Sequence, residues 1–84
     1  MKLDILTPEK TLFSGEVDSV TLPGAFGIFT VLPNHAPMIS SLRQNGSIIF
    51  VQGEKSEAFT IGGGFAEVWK NQVTVCAENQ TTNS

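Results

Sequence analysis

Residues 47–61 read SIIFVQGEKSEAFTI, and this stretch decides the fold. The unbroken apolar run from Ile48 to Val51 is typical of a buried strand. Gly53 and the two residues that follow it predict a turn of the chain. Apolar residues then recur at Ala58, Phe59 and Ile61, as in a second strand of similar length. The stretch therefore predicts a β-hairpin.

Short strands separated by Gly, Pro and Asn continue on both sides of this hairpin, and no helical periodicity interrupts them. Asn45-Gly46 predicts a turn, and the glycines at 62–64 predict a flexible corner. About eight or nine short strands predict an all-β fold, either a β-sandwich or a small barrel. Besides the hairpin, the predicted strands are residues 2–6, 12–13, 16–22, 28–32, 38–42, 65–70 and 73–78.

Length and charge narrow the classes of function. The 84 residues fit one domain, which we expect at 1–78 with a polar tail at 79–84. The net charge is −3 and no Lys or Arg cluster occurs, which argues against nucleic acid and against direct insertion or binding at a lipid surface. No signal or transit segment is recognisable, and the single Cys76 suits a reducing compartment. Only 15% of residues are charged, so part of the surface should be uncharged.

Groups able to do chemistry are scarce. Cys76 stands between Val75 and Ala77 in a predicted strand, which favours a packed thiol over a nucleophile paired with the single His35. One His and one Cys do not make a zinc site. Glu16 and Asp18 share a strand face, but such carboxylates usually face solvent. The sequence therefore predicts no catalytic residue, no metal and no cofactor.

Apolar residues on both faces of several strands favour a docking module. Phe65 and Trp69 point to one side of their strand, and Ala66 and Val68 point to the other. One face can fill a core, whereas the other needs cover from a loop or a partner. A closed small barrel would also hide part of such a face.

The segment 23–37 contains no charged residue, and it carries Phe26, Ile28 and Phe29. We therefore expect it to prefer an apolar or backbone-mediated partner. His35 lies in this segment between two prolines, and two interpretations stay open. Its ring fixes the shape of the loop, or it contacts a partner at the loop tip.

Three motifs in order resemble the epsilon subunit of rotary F-type ATP synthases. They are Thr7-Pro8-Glu9 with Leu12-Phe13-Ser14-Gly15-Glu16-Val17, then Leu32-Pro33-Asn34-His35-Ala36-Pro37, then Gly63-Gly64-Phe65-x-Glu67-Val68 with Asn71-x-Val73-Thr74-Val75. The resemblance implies a flattened β-sandwich, so that we expect about 8–10 short strands. It also implies a non-catalytic rotor subunit at the cytoplasmic face of the bacterial inner membrane. In this family the subunit docks gamma onto the proton-carrying ring.

The resemblance carries over to particular residues. It implies ring-facing contacts at Ile28, His35, Ala36 and Pro37, and gamma-facing contacts at Thr7 and His35. Many members have a glutamate where Ile28 stands, so here we expect apolar and main-chain contacts to the ring. The family's C-terminal helical hairpin has no counterpart in the sequence, so we expect no nucleotide binding.

A different class of function is a free-standing ligand-binding β-domain, for example for a sugar. Exposed aromatic rings beside carboxylates or amides are typical of such sites, and Trp69, Glu67 and Asn71 could form one. An enzyme is the third class, and the missing catalytic groups argue against it.

Overall fold

The computed structural model describes residues 1–79, so residues 80–84 of the predicted tail lie outside the described residues. The described part contains strands and no helix. The strands are β1 (Lys2–Leu6), β2 (Thr11–Glu16), β3 (Ser19–Gly24), β4 (Gly27–Val31), β5 (Met38–Gln52), β6 (Lys55–Trp69) and β7 (Gln72–Ala77).

The all-β prediction is confirmed, but the strands are divided differently from the expectation. Within residues 1–79 there are seven strands, because β5 and β6 each join two of the predicted short strands. The predicted strand 16–22 is also corrected. Glu16 is instead the last residue of β2, and the next strand, β3, begins at Ser19. Strand β3 continues through Pro23 to Gly24, whereas the predicted strand ended at residue 22.

The strands pair in the order β2-β1-β7-β6-β5-β3-β4, with β1 and β7 parallel and the other pairs antiparallel. In a flat sheet, β2 and β5 would lie about 19 Å apart, given about 4.8 Å between neighbours. The rings of Phe13 on β2 and Phe50 on β5 nevertheless have centroids only 4.2 Å apart. The sheet is therefore folded over on itself.

The fold produces two layers. Layer A contains β2, β1, β7, the second half of β6 (62–69) and the first half of β5 (38–44). Layer B contains β4, β3, the second half of β5 (47–52) and the first half of β6 (55–60). The molecule measures 40 × 26 × 21 Å, which is the shape of a flattened sandwich.

The core lies between the layers and follows the two-residue period of the strands. Leu3 and Ile5 of β1 and Val73 and Val75 of β7 are fully buried from layer A. Layer B contributes its own alternate residues to the same cluster. They are Val20, Leu22, Val31, Ile48 and Phe50.

The bend between the layers falls where sequence analysis predicted a turn and a corner, but both strands continue through it. The register of β5 and β6 shifts between Gln44 and Ser47, and Asn45 adopts a left-handed φ of 61°. Gly63 and Gly64 opposite have φ values of 105° and 136°, which side chains rarely tolerate. A β-carbon on Gly64 would overlap the carbonyl oxygen of Cys76 on β7.

We predict that Gly64→Ala lowers the free energy of unfolding more than Gly27→Ala. Both glycines have similar φ values, 136° and 142°, so both variants store backbone strain of about 1–3 kcal/mol. Only at Gly64 does the new methyl group also meet neighbouring backbone, whereas nothing lies within 4 Å at Gly27. Urea unfolding of the two variants measures the difference, and equal losses would contradict the packing at the bend.

Candidate docking surfaces

Both layers direct large apolar side chains to solvent. The alternation predicted that Phe65 and Trp69 face the side opposite to Ala66 and Val68. In the structure Ala66 and Val68 are buried, and Phe65 and Trp69 are 49% and 55% exposed. The full set of exposed large apolar residues is Phe26, Ile28, Leu32, Ile39, Ile49, Phe65 and Trp69. Where such residues lie together on one face, they mark candidate contact surfaces.

The His35 loop (residues 32–37) is stabilised by hydrogen bonds between its own residues. The backbone N–H of His35 donates to the carbonyl of Leu32 at 3.2 Å, and Nδ1 lies 2.7 Å from the carbonyl oxygen of Ala36. Because a carbonyl only accepts, Nδ1 carries the proton in this contact. The ring is half-buried, and Ala36 and Pro37 are exposed beside it. The ring therefore fixes the loop and also reaches its surface.

A second turn anchors this loop. The backbone N–H of Asn34, whose φ is 67°, donates to Oδ1 of Asn71 at 3.0 Å. Asn71 lies in the turn between β6 and β7 with a left-handed φ of 62°, and its carbonyl accepts from the N–H of Lys2 at 3.1 Å. The loop is thus fastened to the end of layer A where β1 begins.

This anchoring bears on the ligand-binding alternative. Asn71 directs its amide oxygen to the His35 loop and not to a ligand beside Trp69. The ammonium group of Lys70 lies 5.5 Å from the centroid of the Trp69 ring. Glu67 shares the outer face with Trp69, and none of the three predicted residues lines the apolar depression beside Phe65. Nothing in their arrangement favours a sugar site.

A row of residues that we term the β4 stripe projects from the edge of layer B. It consists of Phe26, Ile28, Thr30 and Leu32, which alternate with inward-facing residues and are all exposed. Ile28, predicted as a contact residue, is 68% exposed. Phe29 was expected in the same exposed segment, but it is half-buried and packs against the core, because it lies one residue out of phase with Ile28.

Thr7 lies in a turn after β1. Its backbone N–H and its hydroxyl both donate to the carbonyl of Lys10, at 2.8 and 3.0 Å. It also lines an apolar depression of about 660 Å³ on the outer face of layer A, which we term the Phe65 groove. Besides Thr7, the lining includes Leu6, Pro8, Ser41, Phe65 and Cys76.

The structure places Thr7 and His35 at opposite ends of layer A. Thr7 follows Leu6, which pairs with Cys76, whereas the His35 loop is fastened beside Lys2 through Asn71. The five residues of β1 separate these ends by about 16 Å. Sequence reasoning could not recognise the Phe65 groove, because its residues come from four separate segments.

Charged side chains are distributed unevenly between the two outer faces. Layer A directs Lys2, Asp4 and Glu67 outward, and Gln72 donates to Asp4 at 2.7 Å. The registers of layer B direct outward only uncharged residues. They are Ser19, Thr21, Ile28, Thr30, Ser47, Ile49, Val51, Ser56, Ala58 and Thr60.

No constellation for chemistry emerges in residues 1–79. Asp18 accepts from the N–H of Gly53 at 2.6 Å, and Glu16 accepts from the Met1 amine at 3.2 Å, so these carboxylates have separate partners. Cys76 is half-buried at the groove, opposite the buried Val75 and Ala77. In the described ranges no three His, Cys, Asp or Glu residues gather to hold a metal. Within the same residues there is no helix able to span a membrane.

The fold and these surfaces define a small β-sandwich domain with exposed apolar side chains on both layers. The family model "ATP synthase, Delta/Epsilon chain, beta-sandwich domain" matches residues 1–82, so the chain belongs to this family. The predicted resemblance and the β-sandwich are thereby confirmed.

Relatives and solved structures agree with this assignment. The chain is 44% identical to the ATP synthase epsilon chain of Caulobacter vibrioides, over 94% of this chain and 91% of the relative. It is 38% identical to that of Leptospira interrogans, over 94% of this chain and 61% of the relative, so it spans about three fifths of that protein. The fold resembles a chain in the Euglena gracilis mitochondrial ATP synthase OSCP/F1/c-ring structure, with a TM-score of 0.81, 24% identity, and coverage of 89% and 48% of the two chains.

We predict that Asn71→Gly loosens the His35 loop while Asn71→Asp preserves it. Glycine keeps the left-handed backbone of this turn but removes the acceptor for the Asn34 N–H, which costs about 1 kcal/mol. Aspartate keeps a side-chain oxygen in the same place. Hydrogen exchange should accelerate at the Asn34 amide in Asn71→Gly alone, and equal rates in both variants would contradict the anchor.

Proposed function

We propose that this chain is a non-catalytic central-rotor subunit of a proton-translocating F-type ATP synthase. It docks the gamma subunit onto the membrane ring and thereby couples proton flow to ATP synthesis. The observation that carries the proposal is the exposure of apolar side chains on both layers of a domain from the delta/epsilon chain family. The Leptospira and Caulobacter relatives are named as ATP synthase epsilon chains, and this supports the same role.

The gamma subunit is the proposed partner of the outer face of layer A. Thr7 and His35 are the gamma-facing candidates, and they bound this face at its two ends. A partner that contacts both must therefore lie across the residues between them. Phe65, Trp69 and Ile39 are exposed on this face, and the Phe65 groove lies beside Thr7. The groove gives gamma an apolar depression in which to seat a side chain.

The ring is the proposed partner of Ile28 together with His35, Ala36 and Pro37. The segment around these residues carries no charge, so its contacts are apolar and main-chain in character. The Asn34–Asn71 hydrogen bond and the contact of the His35 ring with Ala36 hold the loop in one shape. Such rigidity favours docking of the loop, because less conformational entropy is lost when it binds.

The area required is compatible with a domain of this size. A standard interface buries about 800 Å² on each partner. Gamma and the ring together would then cover about 1,600 Å² of the 5165 Å² that the described chain exposes. This demand explains why so few residues are charged. The role requires no catalytic residue, metal, cofactor or nucleotide, and it involves neither nucleic acid nor lipid insertion.

In this proposal the subunit is peripheral and lies at the cytoplasmic face of the bacterial inner membrane. It reaches the membrane through the ring. The location of the domain is therefore set by the membrane that contains the ring.

The gamma contact is tested by co-expression with gamma of the same organism, followed by size-exclusion chromatography with light scattering. We expect a one-to-one complex that Phe65→Asp disrupts, because the new carboxylate would be buried without a partner. Ala58→Asp is the control, since Ala58 is exposed on the outer face of layer B. A stable complex with Phe65→Asp would contradict the assignment of this face, and a wild-type monomer would contradict the role.

The ring contact is tested by Ile28→Asp in the assembled complex in membrane vesicles. Burial of an exposed isoleucine contributes about 1.5–3 kcal/mol, so its loss should weaken attachment at least about tenfold. Proton pumping relative to ATP hydrolysis should fall with Ile28→Asp and persist with Ala58→Asp, which lies on the opposite edge strand of layer B. An unchanged ratio for Ile28→Asp would contradict the contact.

A further inference from the structure

The free edge of β4 differs from the other strand edges of the described sandwich. The edge of β2 carries Glu16, the first half of β5 carries Arg43, and the first half of β6 carries Lys55 and Glu57. Strand β4 carries no charge and no proline within Gly27–Val31. Proteins usually protect exposed edges with charges, prolines or bulges, because an open edge pairs with other chains.

The register with β3 identifies which backbone groups of β4 are free. Ile28 pairs with Pro23, which has no N–H to donate, and Thr30 pairs with Thr21. Hydrogen-bonded and non-hydrogen-bonded pairs alternate in an antiparallel ladder. Leu22–Phe29 and Val20–Val31 are then the bonded pairs, so Ile28 and Thr30 direct N–H and C=O away from β3. Among residues 1–79 no backbone partner outside the strands reaches these groups.

The close approach of two hydroxyl groups supports this assignment of bonded and non-bonded pairs. Oγ1 of Thr21 and Oγ1 of Thr30 lie 2.9 Å apart across the ladder. Side chains of a non-hydrogen-bonded pair are the closer ones, as this contact requires.

We propose that the free edge of β4 pairs with β4 of a second copy of this chain, antiparallel about a twofold axis at Phe29. In this register Ile28 lies opposite Thr30 of the second copy, and the two pairs make about four backbone hydrogen bonds. Phe26 then lies opposite Leu32 of the second copy. The register that satisfies the free backbone groups therefore also brings the apolar ends of the two β4 stripes together.

The absence of charge on β4 favours a second copy of this chain over a charged peptide as its partner. No charged side chain lies within 19–37, so the symmetric pairing brings no like charges together. The interface is isologous and closes at two copies. It is small, so the dimer forms in a concentration-dependent manner.

The proposed dimer is inferred from the properties of β4 alone, so it does not depend on the proposed rotor role. If both hold, the two states exclude each other, because Ile28 serves both contacts. Self-association then covers this apolar edge in the free subunit, and assembly releases it.

Sedimentation of the isolated chain over about a hundredfold range of concentration tests the proposal. The wild type should shift from monomer to dimer, and Ile28→Lys should remain monomeric. The matched control is Ile39→Lys, which changes an equally exposed isoleucine on layer A and should still dimerise. A wild-type monomer throughout, association beyond two copies, or equal loss in both variants would overturn the pairing.

A second pair of variants separates backbone pairing from apolar contact. Thr30→Pro removes a free N–H without removing a backbone hydrogen bond to β3, and Thr30→Ala removes the hydroxyl and the γ-methyl group but keeps the N–H. Both variants lose the contact with the Thr21 hydroxyl, so they differ at the backbone N–H. Dimerisation should be lost in Thr30→Pro and kept in Thr30→Ala, with circular dichroism confirming that both fold. In the wild type, amide exchange at Ile28 and Thr30 should slow as concentration rises. Exchange that stays unchanged while dimers form would place the interface elsewhere.

Discussion

The bend of the β5–β6 hairpin is the constraint on which the rest of the structure depends. Each strand has fifteen residues, and its two halves belong to different layers. The contact of Phe13 with Phe50 closes the fold, since it joins strands that a flat sheet would keep far apart. Glycine at position 64 permits this geometry, because a side chain there would meet the backbone of β7.

The same bend decides which residues remain outside. A two-residue period gives each strand one set of side chains for the core and one for the surface. The strands carry apolar residues on both faces. Side chains such as Leu3 and Phe50 fill the core, and Phe65, Trp69 and Ile28 on the other face remain exposed. A domain this small cannot cover them itself, since it buries only about 60% of its unfolded surface. These exposed apolar side chains are available for contact with other molecules.

Rigidity at the contact surfaces comes from turns and not from charge. Thr7 closes its own turn onto Lys10, and Asn71 fastens the His35 loop through a side-chain oxygen. Salt bridges are few in the described residues. One joins the half-buried pair Lys2 and Asp4 at the long distance of 3.9 Å, so it contributes little energy. Directional hydrogen bonds hold these loops in place better than screened surface charges would.

Sequence alone determined the strand pattern, the scarcity of catalytic groups and the family. Alternation placed Ala66 and Val68 on one face and Phe65 and Trp69 on the other, because strand periodicity depends only on neighbouring residues. The structure decided that the first face is buried and the second exposed. The long strands, the inward side chain of Phe29 and the groove beside Thr7 escaped prediction. The groove forms from segments far apart in the chain, and local patterns do not encode which of them meet. The long strands continue through residues that local patterns mark as turns, and the inward face of Phe29 depends on how β4 pairs with β3. Tertiary structure alone therefore decided which surfaces the apolar residues form, and which strand edge was left open.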